Sequence, residues 1–116
     1  MGKLTTHVLD TAAGKPAAGM KIELWFVGPQ KHEMLKSVQT NSDGRIDAPL
    51  LAGEDLKAGT YQLVFHVGAY FRDQHNADAE KFLKFVPISF IVSDANANYH
   101  VPLLVSPWAY STYRGS

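Results

Sequence analysis

Apolar and polar residues alternate with a period of two through most of this chain, and Gly, Pro, Asn or Asp interrupts the alternation at short intervals. A helical bundle would repeat its apolar residues every three or four positions, so the pattern specifies short strands joined by turns. Met20, Ile22, Leu24 and Phe26 alternate with Lys21, Glu23, Trp25 and Val27, which turns the first set toward a core. Tyr61, Leu63, Phe65 and Val67 repeat the arrangement, as do Val86, Ile88, Phe90 and Val92, and then Tyr99, Val101, Leu103 and Val105. Thr5-Thr6-His7-Val8-Leu9 makes the first strand and residues 33–40 the third, which the turn Asn41-Ser42-Asp43-Gly44 leads into a short fourth over 45–48. Residues 108–114 form the last. The stretch 69–83 does not alternate and carries Ala, Glu, Lys and Arg, so one short helix belongs inside it. Pro102 lacks a ladder donor, and its strand must be bulged or locally unpaired there. Eight strands, with a helix between the fifth and sixth, predict an all-β fold of two packed antiparallel sheets.

A chain of 116 residues suits one domain over 1–116, and its 46% apolar content is enough to fill a sandwich interior. No internal repeat, linker or low-complexity tract divides it. Eleven basic side chains balance eleven acidic ones, which argues against a nucleic-acid partner. There is no cysteine, so neither disulfides nor thiolate chemistry are available. The first ten residues hold no signal-like apolar stretch, and no run approaches the roughly 18 apolar residues of a membrane span. These features predict a soluble protein without a membrane partner, working in the cytoplasm, or in the periplasm if a leader has been removed.

Polar residues out of step with the core series are the candidates for chemistry. His100 is one position out of phase with Tyr99, Val101, Leu103 and Val105, so it points outward beside Pro102 and Leu104. His7 is out of phase with Val8 and shares its face with Thr5 and Leu9. An outer face that mixes histidine with leucine and proline marks an interface or a ligand site, although either histidine alone is more often structural. Arg45 follows the 41–44 turn directly; most such arginines are solvated, but a rigid turn can also aim the guanidinium fork at carbonyl or anionic oxygens.

The chain closes with Tyr110-Ser111-Thr112 and then Tyr113-Arg114-Gly115-Ser116. With this ending it resembles the 5-hydroxyisourate hydrolases, the enzymatic branch of the transthyretin-like family. Other matching segments are Leu4-Thr5-Thr6-His7-Val8-Leu9-Asp10, Gly14-Lys15-Pro16-Ala17 through Gly19, Thr40-Asn41-Ser42-Asp43-Gly44-Arg45 and Asn98-Tyr99-His100-Val101-Pro102-Leu103-Leu104. The Gly14-to-Gly19 element alone is common to many β-sandwich modules; the terminal tetrapeptide with His7, Arg45 and His100 is specific. The resemblance implies a transthyretin-like sandwich, and it implies an active site of His7, Arg45, His100 and Tyr113, with Arg114, Gly115 and Ser116 shaping its wall. It also implies a homotetramer with a central channel and sites between its dimers.

The implied reaction is hydrolysis of 5-hydroxyisourate at a cyclic N–C(=O) bond, giving 2-oxo-4-hydroxy-4-carboxy-5-ureidoimidazoline in urate breakdown. A water must lose a proton, an oxyanion must be stabilised and the leaving nitrogen must be protonated. Histidine can be base and then acid near neutral pH, which suits His7 and His100 as the proton-transfer pair, in either order. Arg45 would polarise substrate oxygens, worth roughly 3 kcal/mol by analogy with oxyanion-hole donors, and Tyr113 would hydrogen-bond the ring and fix its pose. No cofactor is expected. No H-E-x-x-H or His-x-His spacing is present and an arginine in the site would repel a dication, so no metal is expected either. No G-x-S-x-G nucleophile elbow occurs. His32, His66 and His75 are read as surface or structural. The competing expectations are a transthyretin-like carrier of a small ligand without catalysis, and a structural module of a surface protein, which would come with linkers and a secretion signal.

Overall fold

The alternating segments become nine strands in the computed structural model, which describes residues 1–115. They are β1 (Lys3–Asp10), β2 (Lys15–Pro16), β3 (Lys21–Val27), β4 (His32–Gln39), β5 (Leu51–Ala52), β6 (Gly59–Phe65), β7 (Val86–Val92), β8 (Tyr99–Val105) and β9 (Tyr110–Thr112), with helix α1 (Val67–Asp73) between β6 and β7. One sheet runs β2-β1-β8-β9, with β5 also on β1; the other runs β4-β3-β6-β7. The expected core phases hold: Leu4 and Val8, Ile22 and Leu24, Tyr61, Leu63 and Phe65, and Val101, Leu103 and Val105 are all buried between the sheets. Each such side chain contributes about 1.5–3 kcal/mol through removal from water. The two polar residues that β1 turns inward are satisfied there. Thr6 donates to the Val101 carbonyl at 2.7 Å, and Asp10 accepts from the Tyr70 hydroxyl of α1 at 2.8 Å.

Several expectations are corrected. The sandwich is antiparallel at every strand pair but one: β1 and β8 run parallel, in a continuous register from Leu4↔Tyr99 to Asp10↔Val105. The short strand expected over 45–48 does not form. Asn41 Oδ1 accepts from the amides of Asp43 and Arg45, its Nδ2 donates to Asp47 at 2.8 Å, and Pro49 has no amide to offer a ladder. Pairing resumes only at Leu51–Ala52, opposite Lys3 and Leu4. The helix starts at Val67, two residues ahead of the expected stretch, because the His66 amide bonds the Lys21 carbonyl and the His66 carbonyl then accepts from Tyr70. Just after its last turn His75 takes a φ of 58°, and 74–85 continues without regular structure. The last strand shrinks from 108–114 to three residues.

Pro102 explains the loss at the C-terminal end of β9, and the turn closed by the Ser106 amide on the Ala109 carbonyl explains the loss at its start. The Gly115 amide donates to the His100 carbonyl at 2.7 Å, so the backbone of His100, and of Pro102 two residues on, faces the β9 side. There Pro102 has no donor, and pairing stops at Leu103↔Thr112 before returning as the single bridge His100↔Gly115. The strand is locally unpaired on one flank and intact on the other.

No helix among the described residues is long and apolar enough to cross a membrane.

Candidate active site

Strand phase alone collects the outward residues of two neighbouring strands on one surface. β1 presents Lys3, Thr5, His7 and Leu9; β8 presents His100, Pro102 and Leu104. The parallel register sets Thr5 beside His100, His7 beside Pro102 and Leu9 beside Leu104. From strand spacing the two histidines lie on a diagonal with Cα atoms roughly 8 Å apart, which leaves room for a small ring between their side chains.

Arg45 arrives by a different route. β2 and β5 both pair with the free edge of β1 but at opposite ends of it, and the 41–45 turn docks in the gap. The Val8 amide donates to the Gly44 carbonyl at 2.8 Å, and Arg45 forms an isolated bridge with His7. Gly44 has a φ of 73°, and a Cβ there would collide with the Val8 carbonyl, so only glycine lets the turn approach this closely. His7 is locked by the same turn. Its Nε2 lies 2.9 Å from the Asp43 carbonyl, which can only accept; Nε2 therefore carries the hydrogen, and Nδ1 of the neutral ring is free.

The resulting cleft, of about 340 Å³, is lined by Lys3, Thr5, Thr6, Arg45, Ile46 and His100. Among the described residues it holds two cations and no carboxylate. Burial pushes the pKa of His100 below the usual histidine value, and the charges of Arg45 and His7 push it further the same way. A half-buried imidazole kept neutral beside a guanidinium can take a proton from water while the arginine holds a developing oxyanion. Among the described residues no three His, Asp or Glu side chains converge as metal ligands would.

His7, Arg45, His100 and Gly115 are thus brought together. Tyr113 and Arg114 are not: they turn to the other flank of β9, lining a cleft of about 250 Å³ with Ile88, Phe90, Ile91, Tyr99 and Val101. The Arg114 guanidinium lies 4.5 Å from the centre of the Tyr99 ring and donates to the Asn98 carbonyl at 3.1 Å. The ring-fixing role expected of Tyr113 would require its hydroxyl to leave this position. Ser116 lies outside the described residues. Sequence reasoning passed over Lys3 and gave Thr5 no role, though both share the outward phase of His7.

The model of the HIUase/Transthyretin family matches residues 4–115. The chain belongs to that family. It is 53% identical to the 5-hydroxyisourate hydrolase 2 of Rhizobium meliloti (strain 1021), over 99% of this chain and 97% of that one. Among solved structures it superposes on Klebsiella pneumoniae 5-hydroxyisourate hydrolase with a TM-score of 0.83, at 35% identity and over all of both chains. It also superposes on (S)-allantoin synthase with a TM-score of 0.93, at 41% identity over 99% of this chain, and spans 44% of that longer one. Family membership accounts for the parallel β1–β8 pair as part of a shared topology.

Proposed function

We propose that this protein hydrolyses 5-hydroxyisourate to 2-oxo-4-hydroxy-4-carboxy-5-ureidoimidazoline, without metal or cofactor, as a cytoplasmic homotetramer with its sites between dimers. The observation that carries the reading is the convergence of His7, Arg45 and His100 on one outer sheet face, with His100 held toward its neutral form. The relatives at 53% and 35% identity that match this chain over nearly their full length are named 5-hydroxyisourate hydrolases.

In the proposed reaction a water attacks the carbonyl carbon of the cyclic N–C(=O) bond and gives its proton to a histidine. His100 is the better-placed base, because its charged form is already disfavoured. Arg45 stabilises the tetrahedral oxyanion. Collapse breaks the C–N bond, and the proton passes from the His100 imidazolium to the leaving nitrogen, while the lone pair on Nδ1 of His7 can accept a hydrogen bond from the water or the ring. Partly buried Leu9 and Leu104, beside the site, are the apolar ground on which a second dimer would sit.

Freshly generated 5-hydroxyisourate tests this directly. Its ultraviolet absorbance should fall faster with the protein than by spontaneous decay, at an unchanged rate after exhaustive chelation. Light scattering of the same sample should read about four times the 12.8 kDa chain mass. Saturable binding with no acceleration would favour the carrier reading, and loss on chelation restored by zinc would make the histidines ligands.

A further inference from the structure

The ring of His100 is gripped on two sides. Its Nδ1 lies 2.8 Å from the Thr5 hydroxyl, supplied by the residue directly beside it on the parallel strand. The opposite edge, from Cβ through Cγ to Cδ2, lies against Gly115; a Cβ added to that glycine would come within 2.7 Å of Cδ2. Among the described residues, the tip of the ring, with Cε1 and Nε2, is the part left to meet a substrate.

The two histidines of the site are held by partners of different kinds. The Asp43 carbonyl on His7 can only accept, so it fixes one tautomer. A threonine hydroxyl can donate or accept. With neutral His100 protonated at Nε2, the Thr5 hydroxyl donates to Nδ1; with Nδ1 protonated, in the other tautomer or in the imidazolium, the hydroxyl turns and accepts. The oxygen need not move, since β-branched threonine is stiff at χ1 on a strand. The heavy-atom contact therefore survives each protonation state of Nε2.

Resting on the hydrolase reading, we infer that Thr5 is a positioning residue for the reaction: its hydroxyl holds His100 by Nδ1 in every protonation state, so that Nε2 is the one atom exchanging protons with water and leaving group. Groups that titrate or carry charge around this ring are Lys3 and His7 on β1 and Arg45 on the turn; among the described residues Thr112 and Gly115, on the β9 side, add none. Thr5 faces outward, so its replacement leaves the core intact.

The test compares Thr5→Val, which keeps the shape and removes the hydroxyl, with Thr5→Ser, which keeps the hydroxyl. Thr5→Val should lower kcat by about ten- to a hundredfold, the usual cost of losing an orienting hydrogen bond, with KM within about threefold of wild type. Valine also removes an acceptor from the imidazolium, so the acid limb of the rate profile should move to lower pH. Thr5→Ser should restore rate and limb. Thr5→Ala carries the same expectations should valine impair folding. Nitrogen-15 spectra of the His100 ring supply a readout independent of turnover: the hydrogen-bonded Nδ1 signature and the titration midpoint should change in Thr5→Val and return in Thr5→Ser. Wild-type rate, profile and ring spectra in Thr5→Val would overturn the inference. A wild-type protein inert toward 5-hydroxyisourate, with ring spectra that still respond to Thr5→Val, would instead sink the hydrolase reading and leave the grip on His100 standing.

Discussion

His100 and His66 sit on opposite outer faces of the sandwich, each with one side-chain hydrogen-bond partner, and the partners differ in charge. His100 bonds a neutral hydroxyl and faces a guanidinium. His66 bonds the Glu23 carboxylate at 2.8 Å, while Trp25 Nε1 donates to the other carboxylate oxygen at 2.9 Å. The Trp25 hydrogen bond, with His66 behind it, holds Glu23 below the usual carboxylate range against the opposing effect of burial. A histidine bonded to a carboxylate has that ring nitrogen occupied. A histidine facing cations is kept neutral, with a lone pair to spend. In the proposed reaction proton transfer belongs to the first sheet, while the Glu23–His66 contact braces the second.

Replacing each histidine by asparagine should separate the two most widely. His100→Asn should lose a factor of about 10² to 10⁴ in kcat with the fold retained, the usual contribution of a general acid–base group. His66→Asn should turn over substrate near the wild-type rate. Equal losses in both, measured by absorbance decay on samples matched by circular dichroism, would break the comparison.

Arg45→Gln comes next. It should lower kcat by about 10² to 10³, as loss of an oxyanion donor does. It also removes a cation that pushes the pKa of His100 down. The acid limb of the wild-type profile should fall below pH 6.5, the usual histidine value, and in Arg45→Gln it should move up toward it. An unmoved limb would detach Arg45 from His100.

Much of this was open to sequence reasoning. Period-2 phase placed His7 and His100 outside the core because Leu4 and Val8 mark the inner side of β1, and Tyr99, Val101, Leu103 and Val105 that of β8; a one-residue error would have buried both. Phase tells which face a residue takes, however, not which strand lies beside it. The parallel pairing of β1 with β8, the contact of Thr5 with His100, and the docking of Arg45 between β2 and β5 depend on partners far away in sequence. The strand expected over 45–48 was lost to side-chain hydrogen bonds of Asn41, which compete with a ladder. Tyr113 illustrates a further point: resemblance names a residue, but the fold decides which cleft it lines, here one shared with Ile88, Phe90 and Ile91 of β7.

The smallest expected effect sharpens the other half of the comparison. The Glu23–His66 pair is mostly shielded from water, and Glu23→Gln should cost no more than about 1 kcal/mol, or about 4 °C in melting temperature. A carboxylate whose folded pKa is depressed stabilises above its unfolded value of 4.5, and that stabilisation disappears as pH falls through the folded pKa. The melting curves of wild type and Glu23→Gln should therefore differ at pH 7 and converge in strong acid, with turnover at pH 7 the same in both.

Thr5 and His100 stand 95 positions apart, so the contact closes a loop of nearly the whole chain. Closing such a loop costs about 4 kcal/mol in chain entropy, beyond a constant, and contacts of this span slow folding. The second sheet holds one tight hairpin, β3–β4, and its other pairs, such as Ile22 with Phe65 and Phe65 with Val86, close shorter loops than this one. Refolding should thus regain strand signal before it regains turnover. A chain in which β1 has not yet met β8 can hold Arg45 beside His7 but has no His100 facing them.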